Sequence, residues 1–210
     1  LRGGQGVFDD FALGPALTAL REFAAVYPDR LSETDRARWN EAFRLVAEVQ
    51  GPAQERHRSA HPKGYTNIDL THALHALNLG LYLRDTNWLA SSRAMLLRQR
   101  GHVLPDGATH YIWSQNECIG YHDVVVHYIA RLHEITGEPA ALEILKALEW
   151  YGPVSVGRQG EFWTSPSWKH AWNGAARPAG GEPIVAVSRN PYVRAMVAPP
   201  APNAPSGDQW

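Results

Sequence analysis

Apolar positions recur at helical intervals through the first 150 residues, and the strict alternation of a strand is almost absent there. Residues 9 to 27 place Phe11, Leu13, Leu17, Leu20, Phe23 and Ala24 close to a 3.6-residue period. A second helix is expected behind Ser32, with Glu33 and Asp35 in its first turn. It runs through Trp39, Phe43, Leu45 and Val46 to a stop at Gly51-Pro52. A polar loop rich in His, Arg and Gln is then expected over 51 to 65. The third helix begins near Thr66 or Asn67, and Leu70, Leu74, Leu77 and Leu81 mark its buried stripe. Asp85 caps a fourth, which carries Trp88, Leu89, Met95 and Leu96 and ends at Gly101. The fifth spans roughly 117 to 136, with Val125, Tyr128, Ile129 and Leu132 inward and Gly137 as the residue after its C-cap. Pro139 suits the first turn of a sixth, which carries Leu142, Leu145 and Leu148 and stops at Gly152-Pro153.

Successive helices joined by short turns pack as antiparallel hairpins, and hairpins set side by side make a toroid or solenoid. The expected fold is therefore all-α, with helical hairpins forming an incomplete α/α toroid over residues 1–152. Beyond 153 the periodicity vanishes and Gly, Pro and Ser become frequent. Residues 153–210 are read as a Trp-rich irregular segment with a Pro-rich tail, in which Ile184 to Val187 could form a strand.

Charge narrows the function classes. Lys and Arg number 20 against 21 Asp and Glu, scattered along the chain apart from Arg56, His57 and Arg58. No field calls for nucleic acid or an acidic membrane, and neither is expected as a partner. No apolar run approaches the roughly 20 residues of a membrane span. The single cysteine, Cys118, cannot form a disulfide within the chain and reads as a small buried hydrophobe. The chain opens on Leu1 without a signal-peptide pattern.

The chemistry concentrates between Pro105 and His133. Ahead of the fifth helix stands a run crowded with His110, Tyr111, Trp113, Gln115, Asn116 and Glu117, and Tyr121 and His122 fall in the helix's first turn. Tyr121 also lies on the apolar stripe, so a packed tyrosine with a satisfied hydroxyl is the plainer reading. Asn67, at the expected N-cap of the third helix, would serve there in any protein. The same place lets its amide meet a substrate carboxylate at the positive end of a helix. Trp163, Trp168, Lys169, His170 and Trp172 combine stacking faces with positive donors, which suits an anionic sugar. His72 and His75 share a helix face with Asp69 a turn earlier, but no third ligand is evident and no metal is expected. Asp106, Glu117 and Asp123 are carboxylates a glycoside hydrolase could use, though each also suits a turn, a helix start or an exposed face. Phosphate loops, nucleophile elbows and dinucleotide fingerprints are absent from the sequence.

Three features taken together resemble the α/α-toroid polysaccharide lyases of the heparinase- and alginate-lyase-like group. They are Asn67 at a helix head, the Pro105-Asp106-Gly107 turn, and Tyr121-His122 opening the next inner helix. The resemblance covers about residues 65 to 150. It departs at Ile68, where the family often has a His, and the family's β-sandwich domain is missing or only begun after residue 180. What it implies is cleavage of a uronic-acid polysaccharide by β-elimination, without cofactor, in a secreted or periplasmic setting. On this chain the resemblance gives Asn67, with Asn116, the role of neutralising the uronate carboxylate. Tyr121 becomes the acid and base, and His122 or His110 the base or charge partner. Trp113, Asn116, Glu117, Trp163, Trp168, Lys169 and His170 become substrate-binding residues. A toroid glycoside hydrolase and a non-catalytic carbohydrate-binding fragment are the alternatives.

Overall fold

The computed structural model describes residues 10–110, 119–151, 187–188 and 191, and these form an all-α fold. Six helices follow in order: α1 Asp10–Val26, α2 Glu33–Ala60, α3 Thr66–Leu83, α4 Thr86–Arg98, α5 Ile119–Thr136 and α6 Pro139–Leu148. Among the described residues, β pairing is limited to one isolated antiparallel bridge, Val103 with Thr109. The expected strand at Ile184 to Val187 lies outside the described residues except for Val187.

α3 is the axis of the molecule. It packs against α1, α2, α4 and α5, and nearly every residue from Thr66 to Gly80 is buried. Leu70, Leu74 and Leu77 are inward as their spacing predicts, but so are Ala73, Ala76 and Leu79 on the other faces. Leu81, expected on the stripe, is 39% exposed. Burial fades in this last turn, where Tyr82 and Leu83 are only half-buried. The main core joins α3 to α4, α5 and α6 through Leu70, Leu77, Met95, Leu96, Val125, Ile129, Leu132, Leu145 and Leu148. Each such side chain contributes about 1.5–3 kcal/mol through removal from water. A second, smaller core sets Leu17 of α1 and Phe43 of α2 against Leu79, with Phe43 stacked on Tyr82 at 3.7 Å between ring centres.

The hairpin expectation holds for α3 with α4 and for α5 with α6, which pack as neighbours. α1 and α2 instead pack chiefly on α3, and they meet each other through the rings of Phe23 and Trp39, 6.0 Å apart.

Helix ends follow local chemistry in most places. Ser32 accepts a hydrogen bond from the Asp35 N–H at 3.1 Å, and Asp85 accepts from the Asn87 N–H at 2.8 Å. Gly137 takes φ +66 behind α5, and its N–H donates to the His133 carbonyl. Pro139 occupies the first turn of α6. Two ends differ from expectation by a few residues: α4 closes at Arg98 and passes into a 3-10 turn over Gln99–His102, and α6 ends at Leu148; the expected start of α5 near 117 lies outside the described residues.

The expected stop at Gly51-Pro52 is wrong. α2 continues without a break to Ala60, so residues 51–60 are helix rather than polar loop. A proline inside a helix removes one backbone hydrogen bond and crowds the preceding turn. Here the helix is pinned to α3 on both sides of it. Gln50 is buried with Oε1 3.3 Å from His75 Nδ1, and Gln54 is buried with Nε2 directed to the His72 carbonyl. The extension carries His57 and His61 onto the end of α3.

Candidate functional site

The sequence places Asn67 at a helix cap, but the N-cap residue is Tyr65 and Asn67 is the second residue inside α3. The capping work falls to Asp69, whose Oδ2 accepts from the Tyr65 N–H at 3.2 Å. This is the arrangement by which an acidic residue in the first turn satisfies the donor ahead of it. Asn67 is thereby released from capping. It is only 2% exposed, and its Oδ1 has no hydrogen-bond partner among the described residues.

Thr66, beside it, ties the head of α3 to the segment that follows α4. Its hydroxyl donates to the His110 carbonyl and lies 3.1 Å from His102 Nδ1. Residues 102–110 form a narrow loop closed by the Val103–Thr109 bridge and by the His110 N–H on the His102 carbonyl. At its tip is the Pro105-Asp106-Gly107 turn. Asp106 Oδ1 accepts from the Ala108 N–H at 3.1 Å, and Gly107 takes φ +84. Gly107 also packs so tightly that a Cβ there would lie 2.6 Å from the Tyr151 backbone nitrogen. The Tyr151 ring in turn faces His122 of α5 at 4.3 Å between centres.

The fold therefore sets the backbone at His110 against Thr66, the residue before Asn67, and it connects the 102–110 loop to His122 through Gly107 and Tyr151. The sequence places His122 near the boundary of its helix face; it is 4% exposed. Tyr121 lies in the first turn of α5. Its side chain is outside the described residues, as is that of Asp123. Trp113, Asn116, Glu117, Trp163, Trp168, Lys169 and His170 also lie outside them. Asp106 acts as the turn residue its Asp-Gly pairing suggests.

Sequence reasoning missed a cluster made by the longer α2. His57 Nε2 donates to Asp69 Oδ1 at 3.1 Å. The His57 ring stacks on His61 at 4.7 Å, meets His72 edge-on at 5.0 Å and lies 5.9 Å from Tyr65. The signal was the four-residue spacing of His57 and His61, which matters only if the helix survives Pro52. Burial pushes the Asp69 carboxyl up, but the hydrogen bonds from His57 and Tyr65 and the charges of Arg98 and His57 outweigh it. The net result lies below the ordinary 3.8. Burial, helped by Arg98 and His110, holds His102 below its usual 6.5 despite the opposing pull of Asp69. His72 and His75, read as the possible start of a metal site, have ring centres 6.0 Å apart. Among the described residues no three His, Cys, Asp or Glu side chains gather in a way that could hold a metal ion.

Elsewhere, a groove of about 740 Å³ runs between α1, α5 and α6, lined in part by Glu22, His127, Arg131, His133 and Glu134. Among the described residues, none of the sequence-predicted site residues lines it. Its Arg131 is committed to Glu22 and Glu134, which leaves that guanidinium poorly placed to take a substrate carboxylate. No helix among the described residues is long and apolar enough to cross a membrane. No protein-family model matches the chain, and no curated protein or solved structure matches it either.

Proposed function

We propose that the chain is the helical catalytic domain of a lyase that cleaves a uronic-acid-containing polysaccharide by β-elimination, with its site at the head of α3. The observation that carries this reading is Asn67 Oδ1, a buried acceptor with no donor among the described residues, in the first turn of α3 at the positive end of the helix. Leaving such a group unsatisfied costs about 1–3 kcal/mol, and a ligand that supplies the missing donor relieves it.

A uronate carboxyl in its neutral form is such a ligand. Its O–H donates to Asn67 Oδ1 while its carbonyl oxygen accepts from the amide N–H. The proton at C5 is too weakly acidic to leave beside a carboxylate, and a carboxyl held neutral by the amide removes that obstacle. The negative charge that develops is stabilised by preorganised dipoles. Arg98 adds positive charge near Asp69, the one buried carboxylate among the described residues, which His57 already offsets. Tyr121 is proposed to donate the proton to the departing glycosidic oxygen, and His110 and His122 to orient or accept protons around it. The cleavage itself needs no cofactor.

The test incubates the protein with a panel of uronate polymers and follows the ultraviolet absorbance of unsaturated uronyl ends. The wild type produces them, and Tyr121→Phe abolishes them. New reducing ends without a double bond would make the protein a hydrolase. Glycan binding with no cleavage would make it a binding domain.

A further inference from the structure

We propose that the segment Tyr192 to Val197 of this chain seats in the groove between α1, α5 and α6 and closes it as an internal strap. The inference stands apart from the lyase reading. The groove holds about 740 Å³ and is lined by Leu74 of α3, Leu145 of α6, Pro15 and Ala19 of α1, and Tyr128 of α5. Among its charged lining residues, Arg131 pairs with both Glu22 and Glu134. A concavity of this size with apolar walls is a binding site for something, because apolar surface gathered in one place is unfavourable in water.

The occupant is indicated by where the chain returns. Val187 both lines the groove and packs against the main core. Ser188, 5% exposed, donates its hydroxyl to Glu149 Oε2 just past the end of α6. The chain is thereby tethered at the groove. Pro191 is exposed and helical, and proline suits the first turn of a helix. Behind it the sequence reads Tyr192-Val193-Arg194-Ala195-Met196-Val197. Tyr192 and Met196, like Val193 and Val197, stand four apart, so a helix continuing from Pro191 gathers all four on one face. Arg194 falls at the flank of that face and complements Glu134 at the rim, whose side chain stays 67% exposed beside Arg131. The stretch from Val187 to Tyr192 reaches at most about 17 Å. A tether that short holds the segment at an effective concentration of about millimolar, which a free ligand must exceed to take the groove.

The experiment uses the full chain with the photocrosslinker p-benzoylphenylalanine placed at Met196 and, in a second protein, at Val193. After irradiation, mass spectrometry is expected to find crosslinks within one chain to Pro15–Glu22 or Tyr128–Glu134. Ala19→Trp, which fills the groove from an exposed position on α1, should abolish them while circular dichroism stays unchanged. Because the crosslinker is itself bulky, the unlabelled double variant Tyr192→Ser, Met196→Ser is measured by hydrogen exchange. Amides of Pro15–Glu22 and Tyr128–Glu134 should exchange about tenfold faster than in the wild type, as expected when large apolar side chains leave a packed site. Crosslinks confined to pairs of chains would assign the groove to a second copy and overturn the strap. Crosslinks elsewhere in the chain, or none at either position with exchange unchanged in the double variant, overturn it as well.

Discussion

Gly64 and His102 occupy each other's space: a Cβ at position 64 would lie 2.0 Å from His102 Cε1, and Gly64 takes φ +105. Glycine is required twice here, once for the backbone and once for the imidazole. Gly64→Ala is expected to destabilise the fold by about 2 kcal/mol or more, combining the 1–3 kcal/mol strain of such a backbone with displacement of His102. Urea unfolding measures it. A change within experimental error would mean that His102 moves aside freely and does not anchor the head of α3.

Asn78, fully buried in α3, organises the contact with α1. Its Nδ2 donates to Thr18 Oγ1 and to the Leu74 carbonyl, both at 2.9 Å, and its Oδ1 accepts from Arg21 Nε at 2.8 Å. Asn78→Ala should cost about 2–3 kcal/mol, because Arg21 loses an acceptor in a part-buried setting. Combined with Thr18→Val, the losses should fall short of their sum, since the two side chains share one hydrogen bond.

Acid should loosen the head of α3 in two stages. Burial, first among the causes, depresses His102 in the folded state below 6.5. The unfolded chain therefore binds the proton first, and stability present above 6.5 declines as pH falls toward the folded value. Asp69 is likewise held below 3.8, so its contribution persists above 3.8 and is lost as pH falls further through the folded value. Urea midpoints measured from neutral to acid pH should fall in both windows. His102→Gln should flatten the upper one and leave the lower.

Asn67→Leu separates stability from function. Removing the orphan acceptor with a side chain of similar size should leave stability unchanged or raise it by about 1 kcal/mol, and formation of unsaturated ends should be lost. A variant that unfolds at lower urea would show that Asn67 is satisfied in the folded protein and serves packing.

Much of the fold is legible in the chain because its causes are local. Ser32 and Asp85 cap helices with their own side chains, Gly137 supplies the left-handed turn behind α5, and Leu70, Leu74 and Leu77 repeat at the helical period. Of the candidate site, the chain alone singled out Asn67, His110 and His122, but not the packing that surrounds each of them.

Sequence by itself determined that this protein is helical, roughly where its helices lie and which polar residues stand near their ends, since capping, turn formation and hydrophobic period act over a few neighbouring residues. Tertiary structure alone decided that α2 survives Pro52, that α3 is buried on every face, and that Asp69 rather than Asn67 satisfies the helix start. Each of these depends on groups distant in sequence: Gln50 and Gln54 held against α3, four helices closing around one, and His57 reaching Asp69. A lost backbone hydrogen bond or a buried carboxylate is tolerated only where such partners arrive, and the chain close to Pro52 or Asp69 does not reveal that they will.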